Sequence, residues 1–116
     1  MQLTFLPKIK IYAQNIMIKK NTTSKAPKPV GNYPHSINVN GTLYLSGIGP
    51  RDSNDNSIPG NKYDENKNLI DYDIEKQTHA VFKNIQSILE ASNSSWDQII
   101  DITVFLTNMK KDFNQF

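Results

Sequence analysis

The chain contains no cysteine, which excludes disulfide staples and thiolate metal sites. Its two histidines, His35 and His79, lie too far apart to make a metal-spacing motif, so a zinc site is not expected. No apolar run is long enough to cross a bilayer as a helix. Negative charge is missing from the first part of the chain: no Asp or Glu precedes Asp52, whereas Lys8, Lys10, Lys19, Lys20, Lys25, Lys28 and Arg51 do. A basic, acid-free leader fits organelle targeting or nucleic-acid contact. Against targeting, the leader has no arginine and Pro7 interrupts any early helix. Against nucleic acid, no aromatic-basic stripe of the RNA-reading kind is present. Neither nucleic acid nor membrane is therefore expected as a partner. Arginine itself is nearly absent, since Arg51 is the only one and every other basic residue is lysine.

A length of 116 residues fits one domain with one modest core. Residues 1–16 read as an N-terminal extension ahead of an ordinary start at Met17, with the domain over 17–116. A transit peptide is the alternative, and it would move the expected location from the cytoplasm to mitochondria.

Ile16-Met17-Ile18 reads as a short first strand, and Asn21 to Gly31 as a loop that Pro27 and Pro29 hold extended. Next comes a hairpin. Asn40-Gly41 separates two alternating apolar runs, and this dipeptide suits a type I′ turn because both central positions need positive φ. Ile37 and Val39 share one side of their strand, and Leu43 and Leu45 share one side of theirs. The hairpin runs into the corner Ser46-Gly47-Ile48-Gly49-Pro50-Arg51, whose small residues allow close backbone approach to a ligand. Ser53 to Asn68 is polar and rich in turn formers, and reads as a long exposed loop. A helix is expected from Asp73 to Ser92, with Asp73 as N-cap and Glu75 in the first turn. Ile74, Val81, Ile85, Ile88 and Leu89 make its apolar stripe, with Phe82 alongside. Trp96 is expected to plug the helix end. Ile99 to Leu106 is β-branched and alternating, and reads as a central strand. Asn108 looks like the cap of a second helix that is cut off at Phe116, so the chain reads as truncated.

Four residues are candidates for binding. The Tyr33 phenol can hydrogen-bond a ligand or simply pack in its loop. His35 can be a general acid or base, or a core-edge residue. Ser46 lacks a Gly-x-Ser-x-Gly elbow, so a hydroxyl on a pocket wall is a better reading than a nucleophile. Arg51 can seat a planar carboxylate, or form a surface ion pair with Asp52 or Asp55. No catalytic residue is assigned.

The motifs Lys25-Ala26-Pro27, Gly31-Asn32-Tyr33-Pro34-His35, Leu43-Tyr44-Leu45-Ser46-Gly47, Asp73-Ile74-Glu75-Lys76-Gln77-Thr78, Asn84-Ile85 and Asp101 through Met109 occur in an order that resembles the Rid (YjgF) family of imine and enamine deaminases. The corner Ser46–Arg51 and Ile58-Pro59-Gly60 look most like its 2-aminomuconate deaminase branch. The resemblance implies a chorismate-mutase-like α+β fold, a sheet backed by helices, with the last helix and strands missing from this chain. It also implies a homotrimer with ligand clefts between subunits. The implied reaction is hydrolysis of 2-imino or 2-enamino acids to 2-oxo acids and ammonia, without a cofactor. Tyr33 matches the family's pocket tyrosine and Ser46 its strand-end serine, while His35 stands where many members carry glutamine. The family's carboxylate-binding arginine and water-orienting glutamate lie beyond the second helix, and Arg51 is a different position. A member that binds small carboxylates or partner proteins without catalysis, or an inactive truncated product, is the competing expectation.

Overall fold

The computed structural model describes residues 15–116, so the extension read over 1–16 lies outside it up to residue 14. Strands β1 (Ile18–Asn21), β2 (Ser36–Val39) and β3 (Thr42–Leu45) form an antiparallel sheet in that order. Asn40 and Gly41 take φ of 49° and 91°, as the type I′ turn demands, and Val39 pairs with Thr42 across it. The turn is also tied from outside. Asn40 Oδ1 accepts from the Met17 N–H at 2.9 Å, and the Asn40 N–H donates to the Met17 carbonyl at 3.1 Å. The first strand begins later than its apolar run suggests: Ile16 and Met17 precede β1 and are exposed.

Pairing register decides which side chains share a face. Ser36 faces Leu45 and Asn38 faces Leu43, so the two leucines stand with Ser36 on one side. Ile37 and Val39 stand on the other, with Tyr44 and Ile18. The first side meets helix α1 (Ile74–Ala91): Ser36 is fully buried, with its Oγ 2.8 Å from Ser92 Oγ at the helix end.

Helix α1 forms where its caps and stripe predict. The Asp73 carboxylate accepts from the Lys76 N–H at 3.0 Å, which satisfies one orphan donor of the first turn. At the other end Ser92 is the cap and Asn93 turns left-handed at φ 57°. The Ser94 N–H then reaches the Leu89 carbonyl at 2.9 Å and the Asn93 N–H reaches Glu90 at 3.1 Å, a Schellman closure. Ile88 and Leu89 carry the buried stripe, and Asn84 is buried one turn earlier. Trp96, in a 3₁₀ turn over Trp96–Gln98, packs edge-on against Phe82 with ring centres 5.6 Å apart.

Two further segments differ from expectation. The polar stretch 53–68 is not all loop, because β4 (Lys62–Tyr63) pairs with β5 (Leu69–Asp71). Its turn is built by a side chain: Asp64 Oδ1 accepts from the N–H groups of Asn66 and Asn68 at 2.9 and 2.8 Å. The run Ile99–Leu106 forms no strand. Among the described residues nothing pairs with it, and Ile100 and Phe105 are each 90% exposed. Strand propensity supplies an apolar alternation, but a strand exists only when a ladder partner satisfies its backbone.

The second helix, α2 (Met109–Asp112), is four residues long and capped by Asn108, whose side chain accepts from the Lys111 N–H at 3.2 Å. A polar lock holds it. The Tyr72 hydroxyl donates to both oxygens of the buried Asp112 carboxylate, at 2.9 and 3.1 Å, and Lys111 Nζ lies 3.9 Å over the Tyr72 ring. Burial, and then the Asp112 carboxylate, push the Tyr72 phenol above its ordinary pKa of 10.0. Among the described residues the buried set is mostly polar: Ala26, Ile88 and Leu89 are its apolar members, beside Asn21, His35, Ser36, Asn84 and Asp112. Among the described residues every buried polar side-chain atom has a partner. No described helix is long and apolar enough to cross a membrane. The fold is of the α+β class expected.

Candidate functional site

A cleft of about 190 Å³ opens between the loop that precedes β2 and the corner that follows β3. Pro27, Pro29 and Val30 form one wall, Ser46 to Gly49 and Arg51 form the other, and Ala26 and Ile88 close the base. Tyr33, His35, Ser46 and Arg51, the four candidates, all line it. The β2–β3 hairpin explains the meeting. It folds Pro34-His35 back beside Ser46, and the Ser46 N–H donates to the His35 carbonyl at 3.0 Å.

Both polar atoms of the His35 ring are occupied. Nδ1 accepts from the Thr23 N–H at 3.1 Å, so Nε2 carries the proton and donates to the Pro27 carbonyl at 2.9 Å. The ring is buried and clamps the 23–27 loop against the sheet. Its contribution to the cleft is a wall, with neither nitrogen free for acid–base work. Ser46 Oγ donates to the Pro34 carbonyl at 2.7 Å, which spends its proton and leaves lone pairs toward other donors. Tyr33 is 44% exposed and its hydroxyl has no partner among the described residues. Its ring lies so close to Gly31 that a Cβ there would sit 2.7 Å from Tyr33 Cε1.

Arg51 makes no ion pair with Asp52 or Asp55. Its Nη1 donates to Asn56 Oδ1 at 2.9 Å and its Nη2 to the Lys28 carbonyl at 2.8 Å. Both acceptors are neutral, and among the described residues no carboxylate lies within 4.0 Å of it. The Asp55 carboxyl is instead satisfied by Ser57, which holds its pKa below the ordinary 3.8. Among the described residues no acidic side chain lines the cleft, and Arg51 is the one cation that does, uncompensated by a carboxylate.

The corner Gly47–Arg51 is bare in a second sense. A Cβ built on Gly47 or Gly49 meets no atom of the described residues within 4 Å, and neither glycine has positive φ. Neither packing among the described residues nor backbone conformation requires glycine there. Asn84 was not foreseen as a site residue. Its Nδ2 donates to the carbonyls of Gly49 and Arg51 at 3.0 and 2.9 Å. The available signal was a carboxamide at stripe spacing between Val81 and Ile88. The described residues hold no cluster of three or more His, Asp or Glu side chains able to bind a metal ion.

The family described as Endoribonuclease L-PSP matches residues 23–116. A RutC family protein of Buchnera aphidicola is 40% identical over 89 residues, which are 77% of this chain and 60% of that protein. This chain therefore spans about three fifths of that relative's length. Among solved structures, the Rid family protein YyfA from Yersinia pestis superposes with a TM-score of 0.65 at 32% identity, covering 84% of this chain and 69% of that one. E. coli TdcF superposes with a TM-score of 0.68 at 26% identity, covering 83% and 65%. With the family matched across the hairpin, the cleft and both helices, the chain belongs to the Rid (YjgF, RutC) family, the group also described as Endoribonuclease L-PSP.

Proposed function

We propose that the cleft binds a small 2-imino or 2-enamino acid and promotes its hydrolysis to a 2-oxo acid and ammonia. The observation that carries this reading is the pairing of one uncompensated guanidinium with an acid-free cleft walled by proline and valine. Such a site selects a carboxylate on a compact apolar body. Arg51 holds the carboxylate, and Tyr33 and Ser46 offer a phenol and hydroxyl lone pairs to the imine end. The substrate carbon is already electrophilic, so positioning does most of what is needed. A 2-enamino acid first becomes the imine as a proton moves from nitrogen to the carbon beside C2; water oxygen then bonds to the imine carbon as the C=N pair moves to nitrogen. The two water protons pass to nitrogen, the C–N bond breaks, and ammonia leaves as the carbonyl forms. A longer, doubly acidic substrate such as 2-aminomuconate is the branch-level version of this reading. The protein acts as a homotrimer in the cytoplasm, with clefts completed between subunits.

A second reading is favoured by one observation: neither His35 nitrogen is free and the Ser46 proton is spent. A cleft without a free base suits a binding protein for small amino or oxo acids, and the related E. coli TdcF was solved with bound serine. The test generates a 2-imino acid in place with an amino-acid oxidase and follows ammonia and 2-oxo acid release. Acceleration over the spontaneous rate that is lost in Arg51→Gln supports the enzyme. Saturable binding of the acid with no acceleration supports the binder.

A further inference from the structure

We infer that Asn84 is the positioning residue of the cleft: through two carbonyls it holds the corner that presents Arg51. This rests on the reading that the cleft binds an acid through Arg51. The corner has little else to hold it. Pro50 has no N–H, and among the described residues no N–H from Gly47 to Arg51 makes a backbone–backbone bond. The ladder ends at Ser46, whose N–H still reaches His35, and the next backbone N–H with a backbone partner is that of Asp52, which reaches the Ser57 carbonyl across a loop turn at 2.8 Å. Between them lie two glycines with the conformational freedom that glycine brings.

Into that gap α1 sends one side chain. Asn84 is 6% exposed, and its Nδ2 has two protons, one for the Gly49 carbonyl and one for that of Arg51. These carbonyls bracket Pro50, so both ends of the bend are fixed to the most regular element of the fold. A neutral carboxamide suits the task. A leucine would supply no donor, and an aspartate would set a carboxylate against two carbonyl oxygens. With the Arg51 backbone pinned, its guanidinium can span from Asn56 to the Lys28 carbonyl and face the cleft.

Because Arg51 is the only arginine, its reactivity can be read without interference. Phenylglyoxal modification, located by mass spectrometry, is expected to run at least threefold faster at Arg51 in folded Asn84→Ala than in the natural chain. An unchanged rate in a folded variant overturns the inference, whatever the cleft binds. Affinity is read with 2-oxobutyrate and with its amide. Asn84→Ala is expected to weaken the acid about tenfold or more and the amide less than twofold, and the acid's loss is expected to shrink when Arg51→Gln is already present. Equal loss for acid and amide means Asn84 serves general stability only, and overturns the positioning role. If the natural chain shows no preference for the acid, the ligand reading fails, while the modification rate still decides whether Asn84 positions Arg51. Should Asn84→Ala not fold, Asn84→Ser takes its place. In the natural chain the Asn84 side-chain N–H protons must exchange at least tenfold more slowly than those of exposed asparagines; equal exchange also refutes the proposal.

Discussion

Replacing Gly47 with alanine separates folding from binding. Among the described residues a Cβ on Gly47 meets nothing within 4 Å, and the residue has no positive φ, so the fold accepts the methyl group without strain. The unfolded chain loses freedom, and Gly→Ala at such a position stabilises by about 0.4–1 kcal/mol. For a chain of this size that raises the melting temperature by roughly 2–6 °C. The same methyl group occupies space beside the cleft wall, where an acid must approach. Overpacking of about 1–3 kcal/mol corresponds to a loss of roughly 5- to 150-fold in affinity. Thermal unfolding and titration with 2-oxobutyrate measure both effects on one protein. A variant that melts higher and binds weaker supports the reasoning. A variant that melts lower refutes the open-space argument, and one that binds as well as the natural chain refutes the view that the bare corner serves a ligand.

Gly60 makes the contrast: with φ 79° and a built Cβ only 2.6 Å from Asp73 Cβ, Gly60→Ala is expected to destabilise by more than about 1 kcal/mol in urea denaturation. Ile88→Ala, at the base of the cleft and 1% exposed, is expected to cost about 2–5 kcal/mol in the same assay. Stability also depends on pH at both ends. The Lys76 N–H is the main cause that holds the Asp73 pKa below 3.8, so that stabilisation is present above pH 3.8 and is lost as pH falls through the lowered folded value; Asp73→Asn keeps a cap acceptor and flattens this acid limb of the urea midpoint. Tyr72 is raised above 10.0, so its contribution is present below pH 10.0 and disappears as pH rises through the raised folded value; Tyr72→Phe is expected to lower stability at neutral pH and remove that alkaline limb.

Local rules were legible and non-local ones were not. Asn40-Gly41 specified its turn because the requirement for positive φ is met by those two residues alone. Asp73 and the stripe of α1 were readable for the same reason, since caps and spacing act within a turn or two. The gathering of Tyr33, His35, Ser46 and Arg51 followed from the hairpin, which brings its two ends together. The β4–β5 pair was hidden because a carboxylate, not an apolar alternation, builds its turn. Ile99–Leu106 looked like a strand by composition, yet pairing depends on a distant partner. The bonds of His35 to Thr23 and Pro27, of Asn84 to Gly49 and Arg51, and of Tyr72 to Asp112 join residues separated in the chain, and no spacing rule announces them.

The most direct measurement follows the nitrogen-bound protons of the labelled protein while 2-oxobutyrate is added. Arg51 contributes the one arginine Nε–H signal. Saturating shifts at that signal and at the N–H groups of Tyr33, Gly47 and Gly49 are predicted, with α2 and the β4–β5 hairpin unmoved. Shifts that leave Arg51 and Gly47 in place, or that scatter over the lysines, would contradict a cleft built to hold an organic acid.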